Sequence, residues 1–464
     1  MAITATNDMF ENSPDSNERY VGKLLDEASM TQVDRARKAI EKLADSDIFS
    51  PKDIAAILAC ENPDVTEELC GSAGKLNERK YGKWINVFAT IDLSDGCRLR
   101  CSKCPPIDID TGRVFKPADI TATSGLFKTL TDLGHNRVVL TACTMDPSFE
   151  FDAMMESIGR INKIRKGDLR LPPVDLNVFP LDNKQLETIA GAEIGACRFD
   201  QITYHRRTYD NLRFTGRGAN YLDRIAAPEK AVKAGIKNIG MGISFGFHDY
   251  RYELLCLLKH IERIKNVYGV SPITINLSRI KNGCADGRAS RPLYGVTDDQ
   301  FRKITALLSL SVPEADLTLV NDEPPETRTK LIKAGIRRLQ TGTCAENEKR
   351  ESSPLNERRN FHNTLLEIMG NGYIPSFCAS CYHKGDKRLK FKYTGKRSLI
   401  KRFCLSNAVL SFKEYIEEHD MKEARETGDG IIEEIMRDIP SKNWRDATKS
   451  RLVRIERGER CLHF

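Results

Sequence analysis

The chain has 464 residues, 72 Lys and Arg against 65 Asp and Glu, a formal net charge of +7 and a hydrophobic fraction of 40%. That length allows two to four domains or one large barrel with extensions, since domains run to roughly 100–200 residues, and the apolar fraction excludes wholesale disorder. No stretch nears the roughly 18 apolar residues of a membrane span, and the start, MAITATNDMFENSPDSNERY, lacks a secretory signal and is too acidic for a transit peptide. A cytoplasmic protein is therefore expected.

Residues 1–18 are polar. Residues 19–80 read as helical, because Val21, Leu24, Leu25 and Ala28, then Val33, Ala36, Ala39, Ile40 and Leu43, recur at helical spacing. Ser50 and Pro51 offer an N-cap and a first helical proline before the helix Ile54–Cys60. From Lys83 short apolar runs alternate with amphipathic stretches. The predicted strands are Trp84–Leu93, Val138–Ala142, Val174–Phe179, Arg198–Thr203, Asn238–Ser244, Ile273–Arg279, Leu317–Asn321 and Arg337–Thr341. Helices are predicted between them, among them Ile120–Leu133, Asn220–Ala234, Tyr252–Lys265 and Thr297–Leu310. In two places, Ala234-Gly235-Ile236 and Ala334-Gly335-Ile336, a glycine can cap the helix before the next strand. The alternation predicts an α/β fold, a (β/α)8 TIM-type barrel, with an open doubly wound sheet as the alternative. It ends near Asn371, so the expected organisation is a helical extension over 1–82, the barrel over 83–370 and a C-terminal cluster-binding segment over 371–464.

Fourteen cysteines in a reducing compartment point to metal or catalytic roles rather than disulfides. Eight of them (Cys60, Cys70, Cys143, Cys197, Cys256, Cys284, Cys344 and Cys461) stand alone and read as small buried hydrophobes. The other six form two groups. Cys97, Cys101 and Cys104 follow directly on the first predicted strand, separated by three and then two residues. In a barrel this is the C-terminal face, where active sites are built. Three thiolates at that spacing can hold an iron–sulfur cube and leave one iron open. A structural zinc site is the bland alternative, but such sites are four-coordinate and closed, and no fourth Cys or His lies near. The second group is Cys378, Cys381 and Cys404, with twenty-two residues between the last two. The intervening basic run (Lys384, Lys387, Arg388, Lys390, Lys392, Lys396, Arg397, Lys401, Arg402) could bind nucleic acid, or form a solvated loop balancing an anionic cluster. A sequence pI of 8.6, below the value of about 9 typical of nucleic-acid-binding domains, disfavours the first.

The three-cysteine motif after a first barrel strand resembles that of the radical S-adenosylmethionine (SAM) superfamily, with Lys103 where an aromatic residue usually precedes the last cysteine. The second group, from Tyr373 to Tyr415, resembles the C-terminal cluster motif of the HydG family, the tyrosine lyases of FeFe-hydrogenase maturation. So do the run Gln201-Ile202-Thr203-Tyr204-His205 to Tyr209 with Gly216, Asn220, Tyr221 and Arg224, the run Ile239 to Glu253, and the tail Gly458 to Phe464. The thiamine-pathway relatives share the barrel but not this tail. The resemblance implies two 4Fe–4S clusters on Cys97, Cys101, Cys104 and on Cys378, Cys381, Cys404. It also implies SAM beside the first cluster, a small substrate attacked by a 5′-deoxyadenosyl radical, and a reduced electron donor such as ferredoxin or flavodoxin. A metallocofactor-maturation partner is a further implied partner; no membrane and no nucleic acid are expected. Tyr204 and His205 are the implied catalytic residues, Arg224, Ser244 and Asn276 the implied cofactor contacts, and Asp322 the residue facing substrate. His205 has a structural reading as well.

The match departs from the family at the pocket. Ile202 stands where a SAM-contacting glutamate is expected, Ile273 where a histidine would hold an extra iron, Asp322 where an arginine would clamp the tyrosine carboxylate, and Ala142-Cys143-Thr144 where the family has Ala-Gly-Glu. An aspartate repels a carboxylate that an arginine would bind bidentately. The expectation is therefore a HydG-type enzyme, either a tyrosine lyase or a paralogue with another substrate. A non-catalytic maturation scaffold and a metal-bearing nucleic-acid-binding protein are the alternatives of another class.

Overall fold

A computed structural model describes residues 14–29, 33–45, 50–93, 120–143, 150–166, 169–179, 181–212, 220–280, 294–320, 323–345, 354–378, 401–419 and 422–464. Four helices precede the first strand: Pro14–Ala28, Val33–Asp45, Pro51–Ala59 and Pro63–Lys80. Ser50 caps the third by accepting from the Lys52 N–H with Pro51 inside the first turn, as the sequence predicts. That helix is apolar on all sides, with Ile54 to Leu58 buried, because it packs among the first two helices and the barrel helix Tyr250–Tyr268.

Eleven strands follow among the described residues: β1 (Trp84–Asp92), β2 (Val138–Cys143), β3 (Arg165–Lys166), β4 (Leu169–Arg170), β5 (Asp175–Phe179), β6 (Cys197–Gln201), β7 (Ile239–Phe245), β8 (Thr274–Arg279), β9 (Asp316–Leu319), β10 (Ile336–Ala345) and β11 (Ile374–Ser376). β3 and β4 form a small separate hairpin. Eight strands run parallel in the order β1-β2-β5-β6-β7-β8-β9-β10, and β10 returns to β1 from Asn86↔Arg338 to Asp92↔Ala345. The sheet is closed. This is the (β/α)8 TIM-type barrel the alternation predicts, and the open doubly wound alternative falls away. The Ala-Gly-Ile breaks behave as expected, with Gly235 and Gly335 at φ of +101° and +124°, a conformation that side-chain-bearing residues adopt at a cost.

The ninth strand of this sheet, β11, comes from the segment the sequence reads as lying past the barrel. It pairs in parallel with Trp84–Asn86, the N-terminal end of β1 that β2 does not reach. Pro375 is tolerated because β11 closes one edge of the ladder. Helix Ser406–Glu418 covers this edge and buries every residue from Ser406 to Ile416, and helices Lys422–Met436 and Lys442–Glu456 pack on it in turn. No helix among the described residues is long and apolar enough to cross a membrane.

Candidate active site in the barrel

Registers across β6, β7 and β8 stack the inward-facing residues in layers: Arg198↔Gly240↔Thr274 lowest, Asp200↔Gly242↔Asn276 above, and Ser244↔Ser278 nearest the C-terminal ends. Barrel lumens are ordinarily filled by Val, Ile and Leu; this side of the lumen is polar in every layer. Gly242 is what allows the middle layer to bond across a strand. A Cβ there would strike Asp200 Oδ1 and the Asn276 side chain. Without it, Asn276 Nδ2 donates to both Asp200 oxygens at 2.9 and 3.1 Å, and Asn177 Nδ2 of β5 donates at 3.3 Å. Burial pushes the Asp200 carboxyl upward, against the amide hydrogen bonds and the more distant charges of Arg198 and Arg224.

In the lowest layer Arg198 Nη2 lies 3.0 Å and Arg338 Nη2 3.3 Å from Asp175 Oδ2, all three side chains being almost wholly enclosed. Both guanidinium groups lie over the Phe88 ring, at 4.9 and 5.4 Å. Burial opposes ionisation of Asp175, but the charges of Arg198, Arg137 and Arg338 outweigh it and hold the carboxyl below its ordinary range.

Of the residues the sequence nominates, Ser244 and Asn276 face the lumen on adjacent strands, Ser244 sharing a 2.8 Å hydroxyl contact with Ser278. Arg224 lies at the same end, its Nη2 3.4 Å from the Asp200 carbonyl and its side chain bonded to the Tyr209 hydroxyl. Tyr204 and His205 point elsewhere. The Tyr204 hydroxyl is buried 3.1 Å from His260 Nδ1 on helix Tyr250–Tyr268. His205 caps the helix Arg206–Asn211, its Nδ1 taking the Thr208 N–H at 3.2 Å, and its ring stacks on His248 at 3.8 Å. Its Nε2 lies 3.5 Å from Glu18. Sequence reasoning did not single out Glu253, the group that fixes this turn. Its wholly buried carboxyl bonds the Thr203 hydroxyl and takes the Tyr204 N–H at 2.7 Å, and burial pushes it up to about 8.

Asp322 lies outside the described residues. Its neighbour Glu323 is buried and held bidentately by Arg279, at 3.1 and 2.7 Å, and Arg279 also reaches Asp298 at 2.5 Å. Ile202, just past β6, packs against the core, and Ile273, at the start of β8, is buried. Cys97, Cys101, Cys104 and Cys381 also lie outside the described residues. Cys378 follows β11 and Cys404 lies in the π-helical turn Lys401–Leu405, which leads into the helix packed on β11. Both are half-buried, as is Cys461 in the C-terminal tail, contrary to its reading as a buried hydrophobe, whereas Cys60, Cys70, Cys197 and Cys256 are buried, the last three with thiols pushed upward by burial. Partly accessible thiols at the ends of two packed elements fit a cluster; sealed thiols do not. The first cysteine group follows Asp92 and the second Ser376, which pairs with Asn86. At ~3.3 Å per residue the two attachment points stand roughly 20 Å apart along β1.

No protein-family model matches the chain. In sequence it is similar to 2-iminoacetate synthase of Escherichia coli (strain K12), 21% identical over 331 residues that cover 69% of this chain and 85% of that protein. The enzyme of the same name from Salmonella typhimurium is 21% identical over 329 residues, with the same coverage. In structure it is similar to HydG, described as a maturase of the FeFe-hydrogenase, with a TM-score of 0.86 and 27% identity over 98% of this chain and all of that one. The chain is thus similar to HydG along nearly its whole length, and to 2-iminoacetate synthase over two thirds of it. The Carboxydothermus hydrogenoformans HydG structure superposes with a TM-score of 0.78, at 24% identity over 97% of this chain. Methylornithine synthase shares the fold over 76% of it, with a TM-score of 0.56. The HydG match spans the C-terminal helices as well as the barrel.

Proposed function

We propose that this HydG-like protein cleaves SAM reductively and uses the resulting radical to take hydrogen from a small, amine-bearing substrate in the barrel. The observation that carries this reading is the full-length similarity to the HydG structure, with Cys97, Cys101 and Cys104 following β1 in the sequence and β1 forming part of a barrel with a polar lumen. Those three cysteines would hold a 4Fe–4S cluster, and Cys378, Cys381 and Cys404 a second one in the segment 371–464. When bound, the first cluster supplies the electron that splits the S–C bond of SAM. Arg224, Ser244 and Asn276 would line the SAM side of the mouth, and Tyr204 and His205 would shape its wall through the Glu253 anchor. Asp322 would face the substrate.

Cleavage of the tyrosine Cα–Cβ bond is the family's chemistry, and the pocket residues favour a changed substrate over tyrosine. Ile202 carries no carboxylate and buried Ile273 no imidazole, so a metal ion beside the second cluster has no ligand from position 273. An electron donor such as ferredoxin or flavodoxin would feed the first cluster, and a metallocofactor-maturation protein would receive the product. The Cys101→Ala variant tests the reading. It should lose 5′-deoxyadenosine formation while keeping the iron of the C-terminal site. Unchanged deoxyadenosine production in that variant would sink the assignment of these cysteines, and absence of deoxyadenosine from the cluster-loaded wild type would favour the scaffold reading.

A further inference from the structure

We infer that Asp200, with Asn276, forms a deep recognition site for a substrate ammonium group, one layer below the position where the family resemblance places a glutamate. The inference rests on reading the barrel mouth as the substrate site. Three observations converge. Asp200 lies two residues before Ile202, on the face of β6 that points into the lumen, and two residues of strand correspond to ~7 Å. Its carboxylate takes three hydrogen bonds, all from the neutral amides of Asn177 and Asn276. A carboxylate offers about four acceptor positions, so one remains. Asn276, 1% exposed, spends its Nδ2 on Asp200 and leaves its Oδ1 buried with no hydrogen-bond partner among the described residues.

The Asp200–Asn276 pair therefore presents only acceptors to whatever enters. A second carboxylate would be repelled, and a neutral carbonyl would find no donor. An ammonium, with three N–H donors and a positive charge, matches both the carboxylate position left over and the Asn276 oxygen. The neighbouring cations make hydrogen bonds to other groups: Arg198 to Asp175 in the layer below, and Arg224 to the Asp200 backbone carbonyl rather than to its carboxylate. An ionised carboxylate in so enclosed a place is costly unless a cation joins it. Gly242 lets the Asp200 carboxylate lie directly against the backbone of β7, where any Cβ would strike it.

The test uses the full-length, cluster-reconstituted protein saturated with SAM. Binding of tyramine, L-tyrosine and 3-(4-hydroxyphenyl)propionate is measured by calorimetry to the wild type, Asp200→Asn and Asn276→Ser. Wild type should prefer the two amines over the amine-free acid by about tenfold or more, the range expected for a buried charge pair. Asp200→Asn, nearly isosteric, should lose that preference, and Asn276→Ser should lose part of it. SAM affinity should change less than about twofold in Asp200→Asn, a shift of under roughly 0.4 kcal/mol. Equal amine binding by wild type and Asp200→Asn would overturn the inference, as would absence of any amine preference in the wild type. A parallel loss of SAM affinity would also overturn it, because Asp200 would then hold the cofactor. Should Asp200→Asn melt well below the wild type, the amine preference of Asn276→Ser at saturating SAM decides: an unchanged preference overturns the inference. Failure of SAM cleavage with the amine preference intact would sink the proposed reaction and leave this site standing.

Discussion

Glu253 shows how one buried carboxyl can fix a functional turn. Burial pushes it up from the ordinary carboxylate range to about 8; because the folded-state value is the higher one, its contribution to stability is complete below pH 4.5 and is lost as pH rises through about 8. Glu253→Gln keeps an acceptor for the Tyr204 N–H and a neutral group beside Thr203. Its melting temperature should therefore gain on that of the wild type as pH rises from 4.5 to about 8. Parallel pH profiles would show that the carboxyl does not titrate with folding. Asp175 behaves oppositely, because Arg198 and Arg338 both depend on it. Asp175→Asn leaves two guanidinium groups enclosed with a neutral partner, and urea denaturation should show a loss of about 3–5 kcal/mol. A loss under about 1 kcal/mol would mean water reaches that layer. Asp200 was open to discovery in the sequence and was passed over. The runs Asp175-Leu-Asn177, Arg198-Phe-Asp200, Gly240-Met-Gly242-Ile-Ser244 and Thr274-Ile-Asn276-Leu-Ser278 alternate polar or bare residues with apolar ones. That is a half-buried strand's pattern, and only closure of the barrel makes its polar face the inner one. Glu253 gave no such signal, since it lies on a helix and meets Thr203 only through the fold.

At the scale of elements, β7 and β11 carry the functional geometry. Gly242→Ala would drive a methyl into Asp200 and Asn276, which should cost about 1–3 kcal/mol as overpacking and, by the inference above, weaken amine binding. Unchanged stability in a urea titration would mean the strands part easily. β11 carries Cys378 on a two-sided anchor. The Phe377 ring stacks on Tyr415 at 4.4 Å and its N–H reaches the Ser411 hydroxyl at 3.3 Å. Phe377→Ala should lose about 3–5 kcal/mol and lower iron content at the C-terminal site while leaving the first cluster; iron and sulfide analysis would show it. The eight barrel strands were legible because each is a short apolar or alternating run between helical stretches, and their ends differ from expectation by only a few residues. β10 extends to Ala345 rather than Thr341, because it pairs with the whole inner length of β1 while its polar sequence looks like loop. β11 was hidden: three residues with a central proline join a sheet only because the end of β1 is left open for them.

Over the whole molecule, the length of β1 separates the two cysteine groups. One cysteine group follows the C-terminal end of β1, and the other follows a strand paired at its N-terminal end. Cys378→Ala should accordingly lower iron by about half, since two clusters of equal size are expected, and leave SAM cleavage in place; loss of all iron would mean that the sites depend on each other. The HydG-like architecture was legible from cysteine spacing and flanking residues. The pocket was legible only as a set of departures, because substrate recognition depends on which strand faces meet in the lumen. The most direct measurement is anaerobic turnover of the reconstituted protein with SAM and dithionite, with and without tyrosine, scored for 5′-deoxyadenosine and p-cresol. The account predicts deoxyadenosine that depends on Cys101, with little or no tyrosine-dependent p-cresol. Tyrosine-dependent p-cresol would contradict the changed pocket, and absence of deoxyadenosine from cluster-loaded protein would contradict the radical chemistry itself.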